Sequence, residues 1–580
     1  MEESVPDYFM EHTIQTDVLV IGSGGAGCRA AIEARKVGQE VLMVSKGPVG
    51  RSGLTPMTMP GFAAVFRTRD KDDSPDVFFK DMLEGGYFLC NEKMVRIFAE
   101  NASKAVLELE SFGVKFDRTE EGEIEQYPLP SHSKRRGCRL DDNLGRVLLN
   151  ALRIELIRTG VRVFEDFYVI DLLIHDGKVV GATGLSWDDG HFYSIQAKAV
   201  ILATGGHEAL YNFRTTGPRA TGDGIGMALR AGAEIVDLEF MQFNPYAIIY
   251  PKGAMGVLVP MNGYIMTRGG KYRNNKGEPF VDKWDPIRKE ATTRDVKAKA
   301  MFTEMVEGRG SKHGGVYLDV SRLQDLDGMP PKEVLRKLGG MHHEYLLQFG
   351  VDILTSEIEV APAAHFGVGG IRINERTETS IRGLYAAGEV SGGLHGANRL
   401  DGASMPEIFV YGAIGGREAG AFAASNRPGK IPKEGIERSK KEIVSLLKNP
   451  RHSVNVMEAK KQLEEVMFNS FGIIREERGM ESGMEKIEEM KQNILPTLFV
   501  RDRQLIGNYD LLEALEFRNM LEVARVMGSS ALNRKESRGA HYRKDSPEMK
   551  EEWCRNTIVQ QKGDRLKVFL REVVREEAKS

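Results

Sequence analysis

A glycine-rich turn set between a strand and a helix constrains this chain more than any other feature. Thr16–Ile21 (TDVLVI) is a short aliphatic and β-branched run, the pattern of a buried parallel strand. Gly22-Ser23-Gly24-Gly25-Ala26-Gly27 follows, then a small-residue helix ending at Gly38 and a second strand over Glu40–Ser45. This βαβ order, with its glycines at the turn into the helix, is the context that gives a GxGxxG pattern meaning. Glycine lets the backbone approach a pyrophosphate, whose charge then rests on the helix N-terminus. The second strand ends in Ser45-Lys46 where the generic fingerprint carries an acid for a ribose.

Around this motif the chain reads as an ordinary globular protein of several domains. Its 580 residues include 80 Lys+Arg against 83 Asp+Glu, a net charge of −3, which excludes a dedicated nucleic-acid binder. Four scattered cysteines with no Cys-x-x-Cys pair leave no ligand set for an iron–sulfur cluster or zinc, so no metal site is expected. No apolar window is long enough to insert in a membrane, and the acidic N-terminus lacks the apolar run of a secretory signal. A cytoplasmic location is expected, with any membrane association made through partner subunits.

Further along, residues 167–186 hold a hairpin with Asp176-Gly177 at its turn, and AKAVILATGG (197–206) is another buried strand entering a glycine turn. A strand–ATGG segment far from the first glycine turn suggests one sheet assembled from separated pieces. Mixed patterns over 246–360 look like an insertion, and strand–turn–helix character returns over 381–424. Asn426–Lys433 is the best linker, and amphipathic patterns at 433–448, 456–470, 481–495 and 508–528 predict helices.

Five separated segments then resemble, in order, the flavoprotein subunits of succinate dehydrogenase and fumarate reductase, with L-aspartate oxidase and adenylylsulfate reductase as relatives. They are GSGGAGCRAAIEA (22–34), ILATGG (201–206), ATGDGIGMALRAGAEIVDLEFMQFNP (220–245), the long run 363–404 beginning AAHFGVGG, and ALNRKESRGAHYRKD (531–545). Residues 135–152 (RRGCRLDDNLGRVLLNAL) look more like thiol-driven fumarate reductases of anaerobes. The resemblance implies an α/β protein: a Rossmann-like FAD-binding domain in two parts (1–245 and 361–425), an inserted α+β capping domain (246–360), a C-terminal helical domain (426–545) and a tail (546–580). It implies an oxidoreductase that passes a hydride between the flavin N5 and a C–C bond of a small organic acid, its electron partner being an iron–sulfur subunit. An L-aspartate oxidase-like enzyme and a flavin electron-transfer subunit with a degenerate pocket are the alternatives.

The same resemblance assigns site residues. Gly22, Gly24, Gly25, Ala26 and Gly27 are expected at the FAD pyrophosphate, Ser45 and Lys46 at the ribose, and Ala203, Thr204 and Gly205 beside the adenosine. Asp223, Gly388, Glu389, Arg399 and Ser404 are expected along the flavin and its sugar–alcohol chain. Ser52 and Gly53 stand where respiratory members place a flavin-linked histidine after Arg-Ser, so non-covalent FAD is expected. His365 and Arg399 stand at the substrate-carboxylate positions, arginine because its planar fork binds a carboxylate bidentately.

Two departures bear on the substrate. The family's QFHP reads Gln242-Phe243-Asn244-Pro245 here, and its Thr-Glu pair has no clear counterpart. Aligning the capping glycines on Gly269-Gly270 puts Met266 at the catalytic arginine, with Arg268 two residues later as the candidate to replace it and Arg273 as a weaker one. A neutral far end disfavours a second carboxylate, so succinate and fumarate are expected to be poor substrates.

Overall fold

A computed structural model describes residues 9–58, 61–140, 144–449 and 454–576. Asp141–Asn143 of the 135–152 stretch and residues 1–8 of the acidic N-terminus lie outside them. The strands that the glycine turn predicted form the centre of the largest sheet. Glu11–Ile21 pairs in parallel with Val41–Val44 on one side and with Phe192–Leu202 on the other. Sheet order runs 162–164, 41–44, 11–21, 192–202, 178–186, 167–175, and Leu384–Ala386 also pairs in parallel with 192–202. Segments far apart in the chain thus close one sheet, whose central strand is fully buried at Val18, Leu19 and Val20. Two helices the pattern did not single out, Pro75–Gly85 and Glu92–Ser111, pack on each other, and the second also on the helix Ser404–Ser425; each begins at a capping side chain, Ser74 and Asn91.

A second core is built from residues running from Tyr246 to Val360. Its antiparallel sheet orders Met241–Tyr250, Ile358–Gly367, Val316–Asp319 and Lys271–Arg273, against the helix Arg294–Val306. The strands 241–250 and 358–367 thus lead out of the first core and return to it.

The C-terminal helices Lys433–Lys448, Val456–Phe471, Glu477–Glu489 and Tyr509–Asn533 pack back on the first core. Beyond them the structure differs from the expected tail. Arg555–Lys562 and Arg565–Glu572 form an antiparallel hairpin that joins Ile235–Val236 and Gly370–Arg372 in a five-stranded sheet. Its turn is made by Gly563, at φ +60, between two alternating runs, a local hairpin signal. No helix among the described residues is long and apolar enough to cross a membrane.

Candidate functional site

The main cavity, of about 570 Å³, is lined by the glycine turn, the ATGG turn, the 388–408 segment and residues 258–264 of the capping region. Its first end is the βαβ turn. Gly22, at φ +109, could carry no Cβ, because one would sit 2.2 Å from the Ala203 carbonyl oxygen. Gly27 is excluded for a different reason. Its Cβ would meet the Gly22 carbonyl at 1.9 Å, so Gly27 packs helix on turn and, unlike Gly22, Gly24, Gly25 and Ala26, does not line the cavity. At Gly24 only the Thr55 hydroxyl, at 3.6 Å, lies near the Cβ position, so the glycine leaves room on the cavity side. The helix Gly25–Lys36 has no side-chain cap, although the Gly25 N–H donates to Thr55 Oγ1 at 3.0 Å. Thr204 Oγ1 is buried at the wall without a partner. A cradle that a Cβ would fill, an uncapped helix N-terminus and an orphan hydroxyl fit a pyrophosphate and sugar hydroxyls.

Ser45, Ser52, Gly53, Ala203, Gly205, Gly388 and Ser404 also line this cavity. Ser45 Oγ is 2.6 Å from Ser23 Oγ. The Lys46 ammonium is already engaged, donating to Asp223 at 2.7 Å and to Glu516 at 2.8 Å. Burial raises the Asp223 carboxyl, but Lys46 together with hydrogen bonds from Asn519 and Thr221 offsets this and holds it below its usual range. Glu516 comes from the helix Tyr509–Asn533, so the C-terminal region braces the cavity wall, a contact that no motif announced. Near the middle of the cavity, Glu389 and the buried Glu208 both accept from the Gly367 N–H, at 3.0 and 3.1 Å. Burial, then the charge of Glu208, pushes the Glu389 carboxyl well above its ordinary value.

Elsewhere on the wall two arginines come together. Arg399 Nη2 and Arg294 Nη1 both donate to Gln242 Oε1, each at 3.2 Å. Gln242 is oriented by its own amide, which donates to Asn398 Oδ1 and to the Arg399 carbonyl. Arg294 also donates to Asp401 at 2.7 Å, and the Arg399 guanidinium lies 4.5 Å from the centre of the Phe366 ring. Both arginines line the cavity and keep a buried Nε with no partner. Burial and the Arg294 charge bring Arg399 down to about 10. His365 lines the same wall, its Nδ1 2.6 Å from the Thr215 hydroxyl, and burial with the two arginines holds it well below its ordinary value, hence neutral.

The residues expected at the far end are elsewhere. Arg268 ends the short helix Asn262–Thr267 and does not line the cavity. Arg273 is paired with Asp319 at 2.5 Å, and Met266 is buried in the second core. Asn244 is fully buried in its strand, its Oδ1 accepting from the Tyr246 N–H at 2.9 Å, and it too is absent from the cavity wall. Alignment on Gly269-Gly270 misses Arg294, which enters from 24 residues beyond Gly270 at the start of its own helix. A cation there opposes the helix dipole, so tertiary partners, Asp401 and Gln242, must hold it. The signal available in sequence was Thr293-Arg294-Asp295 opening an amphipathic run.

Residues 17–405 match the FAD binding domain family, and residues 460–579 match the fumarate reductase flavoprotein C-terminal family. One relative, from the fumarate reductase (CoM/CoB) of Methanothermobacter marburgensis, is 40% identical over 554 residues, covering 94% of this chain and 97% of that one. The chain belongs to the fumarate reductase and succinate dehydrogenase flavoprotein family. Solved structures agree: Mycobacterium smegmatis Sdh1 in complex with UQ1 superposes with a TM-score of 0.85 at 33% identity, covering 97% of this chain and 94% of that chain. A quinol-fumarate reductase with menaquinol molecules superposes at 0.88, with 29% identity, covering 97% and 98%. As a member, the protein is an FAD-dependent oxidoreductase, and the glycine cradle and the wall from Asp223 to Ser404 are where this chain offers FAD a fit.

Proposed function

We propose that this chain is the flavoprotein subunit of an enzyme interconverting a C4 dicarboxylate pair of the fumarate/succinate kind. The observation that carries the reading is the convergence of Arg294 and Arg399 on one Gln242 oxygen at a shared cavity wall. Two guanidiniums there, with Asp401 paired to Arg294, Glu407 paired to His395 and Glu389 held towards its neutral form, favour a ligand with more than one negative charge. The expectation that succinate and fumarate are poor substrates assumed a missing arginine and an Asn244 facing the substrate, and neither premise matches the geometry. The relatives described as fumarate reductase and succinate dehydrogenase subunits support the same choice.

In this reading Arg399 clamps one carboxylate, and neutral His365, its Nδ1 engaged by Thr215, offers its other ring nitrogen to the same substrate. Gln242 fixes the spacing of the two arginines. Asp401 holds Arg294 at the wall, where Arg294 gives the proton to the second carbon of the double bond, or takes it back in the reverse direction. FAD, when bound, supplies the hydride chemistry at its N5. Residues 52–53 carry no histidine or cysteine, and His365, the histidine at the wall among the described residues, is engaged by Thr215 and taken here as a substrate ligand, so FAD is held non-covalently. Several relatives are described as subunits, which supports an electron partner; we assign that role to an iron–sulfur subunit, and any membrane association to partners.

The test is anaerobic: reduction of the bound flavin by succinate and its reoxidation by fumarate. Turnover within the range of about 1–1000 per second common to enzymes is expected. A flavin inert to both compounds sinks the reading.

A further inference from the structure

The helix that begins with Arg294 carries Lys297 one turn later, fully buried. The Lys297 ammonium donates to the Tyr246 hydroxyl at 2.6 Å and to the Glu290 backbone carbonyl at 3.1 Å. Both partners are neutral oxygens. An ammonium taken out of water without a counter-ion is costly, and a lysine so placed is readily driven to its neutral form.

The charged groups that face it come from every side. Asp401 approaches from the substrate loop, Glu290 from the turn before the helix, and Arg294 and Asp295 stand on the helix itself. Tyr246, from the strand 241–250, feels the same Asp401 and Arg294 charges. Glu290, itself buried, has Oε2 4.0 Å from Nζ of the partly exposed Lys271. Lys297 thus lies among ionisable groups, with Glu290 and the partly exposed Lys271 in one direction and Tyr246 and the charges of Asp401 and Arg294 around it. Burial, with Asp401 and Arg294 pulling in opposite directions, brings the Lys297 amine down to about 7. Such an amine gains and loses a proton with equal ease near neutral pH.

We propose that Lys297 restores the proton that Arg294 gives to substrate. The inference rests on the proton-handling role of Arg294 above. Having lost a proton to carbon, Arg294 is a neutral guanidine. The Lys297 ammonium gives up one proton and becomes a neutral amine, the guanidinium is re-formed, and the amine takes a proton from solvent on the Lys271–Glu290 side. No electrons move in this step. One proton enters per double bond reduced, and the direction reverses in oxidation. Because Lys297 acts through Arg294, it is a positioning residue.

The experiment is steady-state reduction of fumarate by the FAD-loaded protein with a reduced viologen, measured across the neutral pH range. The parent should lose kcat as pH rises through about 7, since the charged amine is needed. Lys297→Met should lower kcat by about a hundredfold with KM for fumarate little changed, and should abolish that limb. Lys297→Arg, permanently charged, should lack the limb near neutrality. Tyr246→Phe, which removes the 2.6 Å bond, should move the limb to lower pH. A Lys297→Met enzyme with the parent's kcat and pH profile overturns the relay while leaving the substrate reading intact. No fumarate turnover by the parent overturns both. If Lys297→Met fails to retain FAD, unchanged limbs in Lys297→Arg and Tyr246→Phe overturn the relay instead.

Discussion

At the residue scale, the decisive comparison is Arg294 against Arg268. Both lie in the inserted region, but only Arg294 reaches the cavity wall, held by Asp401 and Gln242. Arg294→Gln should therefore keep its flavin and lose at least about a thousandfold in kcat, whereas Arg268→Gln should stay within a few-fold of the parent. The reverse pattern would return the role to Arg268. The Glu208–Glu389 pair gives a second prediction, with a definite sign. A carboxyl whose folded-state pKa is raised binds more protons folded than unfolded. Stability is thus lost as pH climbs above the ordinary carboxyl value, towards the raised one. The unfolding free energy of the parent should fall with pH more steeply than that of Glu389→Gln, by at most about 1.4 kcal/mol per pH unit. Identical slopes would show that Glu389 is not holding the extra proton. His365 and Arg399, which both line the cavity, could be singled out in sequence because each sits inside a dense motif. Glu208 was passed over: a single acid after ATGG carries no pattern until Gly367 brings it to Glu389.

At the scale of elements, helices were easy to read where apolar spacing was regular, as over 433–448 and 456–471. The hairpin 555–572 was legible in principle from its Gly-Asp turn and alternation, but its strands are half-buried, so their hydrophobic contrast is weak. The helix Tyr509–Asn533 matters most to the site, because it delivers Glu516 to Lys46. Its start rests on Asn508, whose Oδ1 accepts from the Leu511 N–H at 2.9 Å while its amide donates to the carbonyls of Asp502 and Gln504. Asn508→Ala removes the cap and leaves these groups unpaired, so a loss of about 2 kcal/mol is expected in urea unfolding. A change below about 0.5 kcal/mol would mean that the cap is dispensable.

At the scale of the whole molecule, the cavity is walled by residues from the first core and by the 258–264 segment that accompanies the second, so a ligand filling it ties the two together. Binding to the folded state alone stabilises it by about 4 kcal/mol when free FAD is a thousandfold above its dissociation constant. FAD-loaded protein should accordingly melt well above the stripped protein, with a midpoint that rises with added FAD; a midpoint indifferent to FAD would mean that the folded chain does not bind it. Acid precipitation should release all of the flavin into the supernatant, because Gly53 stands where a linking histidine would be. Flavin fluorescence retained in the pellet would contradict this.

The glycine turn is legible in sequence because its causes are local. Gly22 and Gly27 stand within one turn of chain, and the clash that demands glycine at position 27 is with the Gly22 carbonyl. Such constraints leave a motif that can be read along the chain. The meeting of the two arginines at the cavity wall appears only in the tertiary structure. Gln242 must meet Arg294, 52 residues away, and Arg399, 157 residues away, while Asp401 must reach Arg294 across 107. Nothing in the residues next to Arg294 encodes those distances. They follow from two strands, 241–250 and 358–367, carrying the inserted region out and back so that the start of its helix returns to the cavity wall. Charge–charge and hydrogen-bond energies depend on separation in space, and for this site the packing of two cores sets that separation.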